Sequence, residues 1–439
     1  MNFPYFIAKK VATNQATNGQ RSFSGLIIRI SIVAVALSVA VMILTTALIR
    51  GFKNEIRSKI FGFFGHIHIT DFDAAEGFED AYPININQNF YPYLDTVEQV
   101  EYLDQYLLFG REFGKPFWRT TKAGISHIQS FAMKPGIIKA KEDMEGIILK
   151  GVGKDFNWEF MRAYLLEGDI FEVSDSNMSR KIIISQQTAD RLNLKVGDRT
   201  EVNFVGNSNI IRRRLEISGI YRTGLEEYDR RFALVDIAQI QRLLGWQRDE
   251  VGGFEVFVED VDDIPIFREY IAVEQFPIPT SLYAESIRQK QPAIFEWLEL
   301  QNINERIIIA LMLIVSIINM MTALMILILE RTNMVGTLKA LGTSNWKIRK
   351  IFLYYAAYII GLGLFWGNLV GIGLGFLQDQ FRFIKLSEAN YYLSYAPIEF
   401  NFWTIFSLNV LTLVVILLFL IIPSYLVTRI NPVEAIRFK

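Results

Sequence analysis

The 439-residue chain has no cysteine and only three histidines. Without cysteine it forms no disulfide, offers no thiolate to a metal and has no cysteine to lipidate. His66 and His68, in the stretch GHIHIT, share one face of an expected strand, with His127 as the only third imidazole. That set fits a plain strand better than a zinc site. An excess of one charge is also lacking: 45 Lys+Arg against 46 Asp+Glu leave a net charge of −1, which argues against nucleic acid as the main partner. The phosphate-loop pattern G-x-x-x-x-G-K-[ST] is missing too. GVGKD at Gly151–Asp155 lacks both the upstream glycine and the Ser/Thr. No G-x-S-x-G elbow and no H-E-x-x-H occurs. No catalytic, cofactor-binding or metal-ligating residue stands out, and the expectation is a chain that is not an enzyme.

What the chain does have is apolar length. Apolar residues make up 51% of it, concentrated in four runs: Leu26–Ile49, Ile307–Leu329, Ile351–Leu377 and Phe402–Leu426. Each reaches the roughly 20 residues that a helix needs to cross a bilayer. The first run is too long for the core of a cleaved signal, and Ile49-Arg50-Gly51-Phe52 is a poor cleavage context. Basic residues then orient the crossings. Residues 1–50 carry Lys9, Lys10, Arg21, Arg29 and Arg50 and no acid. The 330–350 loop carries Arg331, Lys339, Lys347, Arg349 and Lys350 against Glu330, and the tail carries Arg429, Arg437 and Lys439 against Glu434. These segments belong in the cytoplasm. The 50–306 insert, with 31 Lys+Arg and 41 Asp+Glu, belongs on the other side. The expected order is a cytoplasmic segment (1–25), crossing one (26–49), an extracytoplasmic α+β domain (50–306), crossing two (307–329), a cytoplasmic helix (330–350), crossing three (351–377), an outer loop (378–401), crossing four (402–426) and a cytoplasmic tail (427–439).

Within the insert, strands are expected at His66–Thr70, Ile147–Val152, Lys181–Ser185, Thr200–Val205, Arg214–Tyr221 and Phe254–Glu259. Helices are expected at Gln187–Leu194, Asp236–Leu244 and Asp263–Val273, and a polar helix over 284–305 leads into the second crossing. The third crossing carries Gly363, Gly367, Gly371 and Gly375 at four-residue spacing, a flat face for close helix approach. Asn319 in the second crossing is costly in lipid and is expected to face protein. Pro423 is expected to bend or loosen the fourth crossing.

The segment ERTNMVGTLKALGTSNWKIRKIF (330–352) is amphipathic, with Val335, Leu338, Leu341 and Trp346 at helical spacing and basic residues around them. Gly342 breaks the helix and TSN caps the next. Such a helix either lies in the lipid interface or docks into a partner. The segment resembles the cytoplasmic loop of FtsX-like ABC permeases, the group that includes MacB. Gly336, Leu338, Lys339, Ala340, Leu341 and Gly342 match that pattern, with Met334 where the group usually has an acid, and NPVEAIRF (431–438) matches its ending. FPYFIAKKVA (3–12), GFKNEI (51–56) with GHIHI (65–69), SIINMMTALMILILERT (316–332) and YYLSYAPIEF (391–400) are similar to the lipoprotein-releasing, Lol-type permeases.

The resemblance implies a polytopic α-helical membrane protein with four transmembrane helices and a large α+β MacB-like periplasmic domain between the first and second. It implies a bacterial inner-membrane permease that extracts lipoproteins for a periplasmic carrier. A separate ABC ATPase dimer would hold ATP and Mg, and a second permease, identical or paralogous, would complete the pair. Val335, Gly336, Leu338, Lys339, Leu341 and Gly342 would contact the ATPase. Leu37, Val41, Leu44, Ile314, Ile318 and Met321 would wall an acyl-chain cavity. The hook by which one Lol permease docks its carrier has only the short VGNSNIIRR (205–213) in its place. FtsX-like regulation of a cell-wall hydrolase is the alternative. A MacB-like efflux role fits less well, since MacB carries its ATPase on the same chain.

Overall fold

A computed structural model describes residues 23–74, 82–108, 111–140, 143–174, 177–205, 210–274 and 278–430, with Pro4 and Phe6 before them. Most of the N-terminal segment, the tail motif NPVEAIRF and residues 206–209 of the short hook stretch lie outside the described residues. The chain divides into two compact units. One comprises residues 1–55, 297–385 and 395–439, and the other 56–296 and 386–394.

The first unit is helical. Its elements are α1 (Phe23–Phe64, which runs on into the second unit), α2 (Pro292–Glu330, which starts in it), α3 (Thr332–Ala340), α4 (Asn345–Phe381) and α5 (Phe402–Ser424). Four helices among the described residues are long and apolar enough to cross a membrane. Local chemistry sets their ends. Pro292 opens α2, where a missing N–H is tolerated. Gly65 follows α1 with φ +75° and donates its N–H to Phe61 O at 2.7 Å, a left-handed stop that suits glycine. Asn401 caps α5 by accepting from Thr404 N at 3.0 Å. Pro423 sits one residue before the end of α5 and closes the helix there rather than bending its middle.

The buried centre of this unit draws Val35, Val39 and Ile43 from α1, Met320 and Leu324 from α2, Phe352, Tyr355 and Ile359 from α4, and Ile416 and Leu420 from α5. The small residues of α4 allow close approach to α1. A Cβ on Gly363 would lie 2.7 Å from Val35, and one on Gly367 would lie 2.8 Å from the carbonyl oxygen of Ala36. One on Gly371 would lie 3.1 Å from Ala40 Cα. Gly375 meets Phe400 and Ile398 instead. α4 is joined to α5 by a reciprocal amide pair that pattern reading did not pick out. Asn368 Nδ2 donates to Asn409 Oδ1 at 2.7 Å, and Asn409 Nδ2 donates back at 3.0 Å. Both amides also donate to carbonyls in their own helices, so neither is left unsatisfied in an apolar medium.

The second unit is built on a ten-stranded mixed sheet. Its strands are β1 (Ile67–Asp71), β5 (Ile125–Ala140), β6 (Asp143–Val152), β7 (Leu165–Gly168), β8 (Lys181–Ser185), β9 (Arg199–Val205), β10 (Ile210–Tyr221), β11 (Phe232–Asp236), β13 (Gly253–Val258) and β14 (Leu282–Ser286). The order is β14-β1-β13-β5-β6-β11-β8-β10-β7, with β9 bridging β10 and β5. Two small pairs stand apart: β2 (Ile84–Asn85) with β12 (Glu250–Val251), and the hairpin β3 (Glu101–Leu108) with β4 (Arg111–Thr120). Gly197, in the turn LKVGD, takes φ +89°. Three expectations are corrected. Residues 284–286 close strand β14 rather than opening a long helix, since their burial alternates. The helix expected over Asp263–Val273 is α-helical only for Ile264–Glu269 and widens to a π-turn at Tyr270–Glu274. Asp236 is the cap of helix Ile237–Leu244, accepting from Ala238 N, not its first turn.

Candidate functional site

The 330–350 segment folds as α3, a turn at Gly342 with φ +81°, and the start of α4. Ser344 takes the N-cap position of α4 with extended backbone and no side-chain cap bond. The structure separates the six residues expected to face an ATPase. Val335 and Gly336 are buried against their own chain. Leu338 packs on the membrane unit's apolar centre, beside Met334. Lys339 Nζ donates to the carbonyls of Thr428 (3.1 Å) and Ile430 (2.9 Å), fixing α3 to the chain after α5. Leu341 is 77% exposed and Gly342 is exposed with it. Trp346, half-exposed, extends this apolar tip. Arg349 lies 5.3 Å over its ring and donates to Ser424 Oγ at 3.1 Å. The free surface is therefore centred on Leu341 and Trp346, because α3 ends at Ala340 and turns its earlier apolar residues inward.

The candidate cavity residues lie on apolar stripes. On α1, Leu37 is 63% exposed, and Val41 and Leu44 are half-buried. On α2, Ile314 and Ile318 are exposed, while Met321 packs partly on the centre. Asn319 is half-buried. At the far end of the first crossing, Arg50 Nε pairs with Glu399 Oε1 at 3.3 Å, and Asn54 Nδ2 donates to Glu399 Oε2 at 2.6 Å. Arg50 thus belongs with the 378–401 loop and not with the N-terminal basic group. The basic bias of that group rests on Lys9, Lys10, Arg21 and Arg29.

The second unit holds a buried charge pair that the sequence did not single out. Lys150 on β6 reaches Glu255 on β13 at 2.7 Å, with side chains 1% and 0% exposed. Gln129, on β5 between them, donates to Glu255 Oε2 at 2.7 Å. Lys150 also donates to Phe63 O, and His68 Nε2 lies 2.6 Å from Phe64 O. These two side chains hold the last turn of α1 to the sheet. Burial pulls the Lys150 ammonium below its ordinary value and pushes the Glu255 carboxyl above its own, and each partner opposes the other's shift. His66 and His68 have separate partners, and no metal-binding cluster occurs among the described residues. The GVGKD turn is structural: Asp155 accepts from Ser130 N and from Tyr91 OH.

Four membrane-length helices, a short helix between the second and third, and a large mixed-sheet domain are the architecture expected of an FtsX-like permease. Comparison with known families agrees. A model of the FtsX-like permease C-terminal region matches residues 306–432, and a model of the MacB-like periplasmic core domain matches residues 30–272. The chain belongs to the FtsX-like permeases that carry a MacB-like core domain. It is similar to the lipoprotein-releasing system transmembrane protein LolC of Xylella fastidiosa (strain 9a5c), at 21% identity over 439 residues and 96% of each chain. It is also similar to the lipoprotein-releasing system transmembrane protein LolE of Haemophilus influenzae, at 22% identity over 461 residues and 99% of each chain.

Proposed function

We propose that this chain is the permease subunit of an inner-membrane ABC transporter that extracts lipoproteins and passes them to a periplasmic carrier bound for the outer membrane. The observation that carries this reading is similarity over nearly the whole length to lipoprotein-releasing transmembrane proteins. In this reading the 50–306 domain is periplasmic, the termini and the 330–350 loop are cytoplasmic, and a second permease completes the pair. ATP and Mg belong to a separate ATPase dimer, and this chain binds neither. Each buried CH₂ holds an acyl chain by about 0.8 kcal/mol, so release needs the energy that the ATPase supplies. The stripes Leu37–Val41–Leu44 and Ile314–Ile318–Met321 are the proposed apolar walls. Ile318, 58% exposed, tests them without disturbing the helix packing. Ile318→Arg should leave the complex assembled and cut lipoprotein release per ATP at least ten-fold, since a charge at that depth repels acyl chains. Depletion in cells should strand outer-membrane lipoproteins in the inner membrane. Normal sorting with a cell-separation defect would instead support an FtsX-like regulator of a cell-wall hydrolase.

The proposed ATPase contact is the Leu341–Trp346 tip, with Lys339 in a positioning role. Leu341→Asp is expected to abolish ATPase co-purification and stimulated hydrolysis while leaving the permease's melting temperature unchanged, because Leu341 is 77% exposed and, among the described residues, is not part of the apolar centre. Leu338→Asp should lower the melting temperature as well. Wild-type ATPase binding by the Leu341 variant would remove the tip from the interface.

A further inference from the structure

We propose that the second unit contains a binding site for a phosphate-type anion, in a cavity of about 350 Å³ lined by Arg57, Arg268 and Arg288. Three guanidinium groups and one carboxylate, Asp262, are in the described lining. That carboxylate pairs with Lys122 Nζ at 2.5 Å and is also within the field of Arg57, so Arg268 and part of the Arg57 charge remain for an anion, with Arg288 beside them. Guanidinium forks match tetrahedral oxyanions better than any other side chain does. A fourth donor comes from His66, which lines the same cavity and is 9% exposed. Its Nδ1 accepts from Val258 N at 3.0 Å, and burial pushes its pKa down to about 4. The ring is therefore neutral at physiological pH and carries its proton on Nε2, as a donor that adds no charge. Phe61 lies tilted against that ring with centroids 4.4 Å apart, and Phe61, Ile264, Pro265 and Phe295 give the cavity an apolar border. Ser286 and Gln289, also in the lining, satisfy each other in a capping box, which leaves anion recognition to the arginines and His66. The ligand chemistry is a phosphate mono- or diester. Its two sources are a free phosphate and an anionic lipid headgroup. The apolar border suits the second, as does the position of Arg57 and Phe295 in sequence, flanking the apolar runs 26–49 and 307–329.

The test uses the full chain in detergent and reads arginine modification by phenylglyoxal, residue by residue, in a mass spectrometer. Inorganic phosphate, or micelles containing phosphatidylglycerol, should slow modification at Arg57, Arg268 and Arg288 but not at the exposed Arg199. Chloride at matched ionic strength and phosphatidylcholine should protect none of them. In Arg268→Gln, and separately in Arg288→Gln, protection of the remaining arginines should require at least ten-fold more of the probe, with the melting temperature of the unliganded Arg268 variant unchanged. Protection by phosphate alone assigns a soluble anion, and protection by phosphatidylglycerol assigns a lipid headgroup. Equal modification rates with and without both probes, or protection equal in wild type and both variants, would overturn the proposal.

Discussion

Lys150→Met is expected to destabilise the sheet unit by about 3–5 kcal/mol, because it leaves the Glu255 carboxyl fully buried without the ammonium that pairs with it, a cost met either as an unpaired charge or as uptake of a proton. The loss is large because neither side chain reaches solvent, so no water compensates the carboxylate. Gln129 still donates to it, yet one neutral amide offsets only part of the charge. The last turn of α1 also loses its bond from Lys150 to Phe63 O, so that turn should fray with the sheet. The measurement is a urea titration of the full chain in detergent, followed by proteolysis within 56–296. The double variant Lys150→Met with Glu255→Met should recover most of the loss, since two apolar side chains can replace a buried pair at little cost. A single variant that unfolds at the wild-type urea midpoint would mean that the pair does not bear on stability.

That pair also marks where pattern reading runs out. A lysine in a strand reads as a solvent-facing residue, and nothing in the ILKGV stretch says that the end of α1 and Phe156 cover it. Lys181–Ser185 was legible because three consecutive isoleucines bounded by polar residues form a strand buried on both faces, and β8 has those bounds. β5 was missed because Pro135 and Gly136 look like a break. On one side β5 pairs with β13 over residues 125–131 and with β9 over 137–139. Pro135 falls in the gap between those partners, where a missing N–H costs no ladder bond on that side. In the helical unit the spacing of Gly363, Gly367 and Gly371 foretold a flat face, but not that α1 fills it. The Asn368–Asn409 pair joins residues far apart in sequence, and a lone amide in each apolar run does not name its partner. Leu338 and Leu341 looked equivalent on a helical wheel. The end of α3 at Ala340 separates them, so one packs inward and the other faces outward.

The glycine face of α4 yields the second large effect. Gly367→Leu is expected to cost about 3 kcal/mol or more, because its Cβ alone would sit 2.8 Å from the Ala36 carbonyl oxygen and from Val39 Cβ. Backbone cannot move aside as a flexible side-chain tip can, so α1 must shift bodily. Gly373→Leu on the same helix is the control, since among the described residues no heavy atom outside the adjoining turns of its own helix lies within 4 Å of its Cβ position. There the change removes only glycine's helix penalty, a gain of about 1 kcal/mol or less. Opposite signs from the same substitution, six residues apart, isolate packing from propensity. The readout is the fraction of each variant that stays monodisperse in mild detergent after graded heating. α1 also carries Leu37, Val41 and Leu44, so displacing it should disturb the proposed acyl wall and reduce lipoprotein release even in the protein that stays folded. Equal heat resistance of the Gly367 and Gly373 variants would show that α1 and α4 do not depend on this close approach.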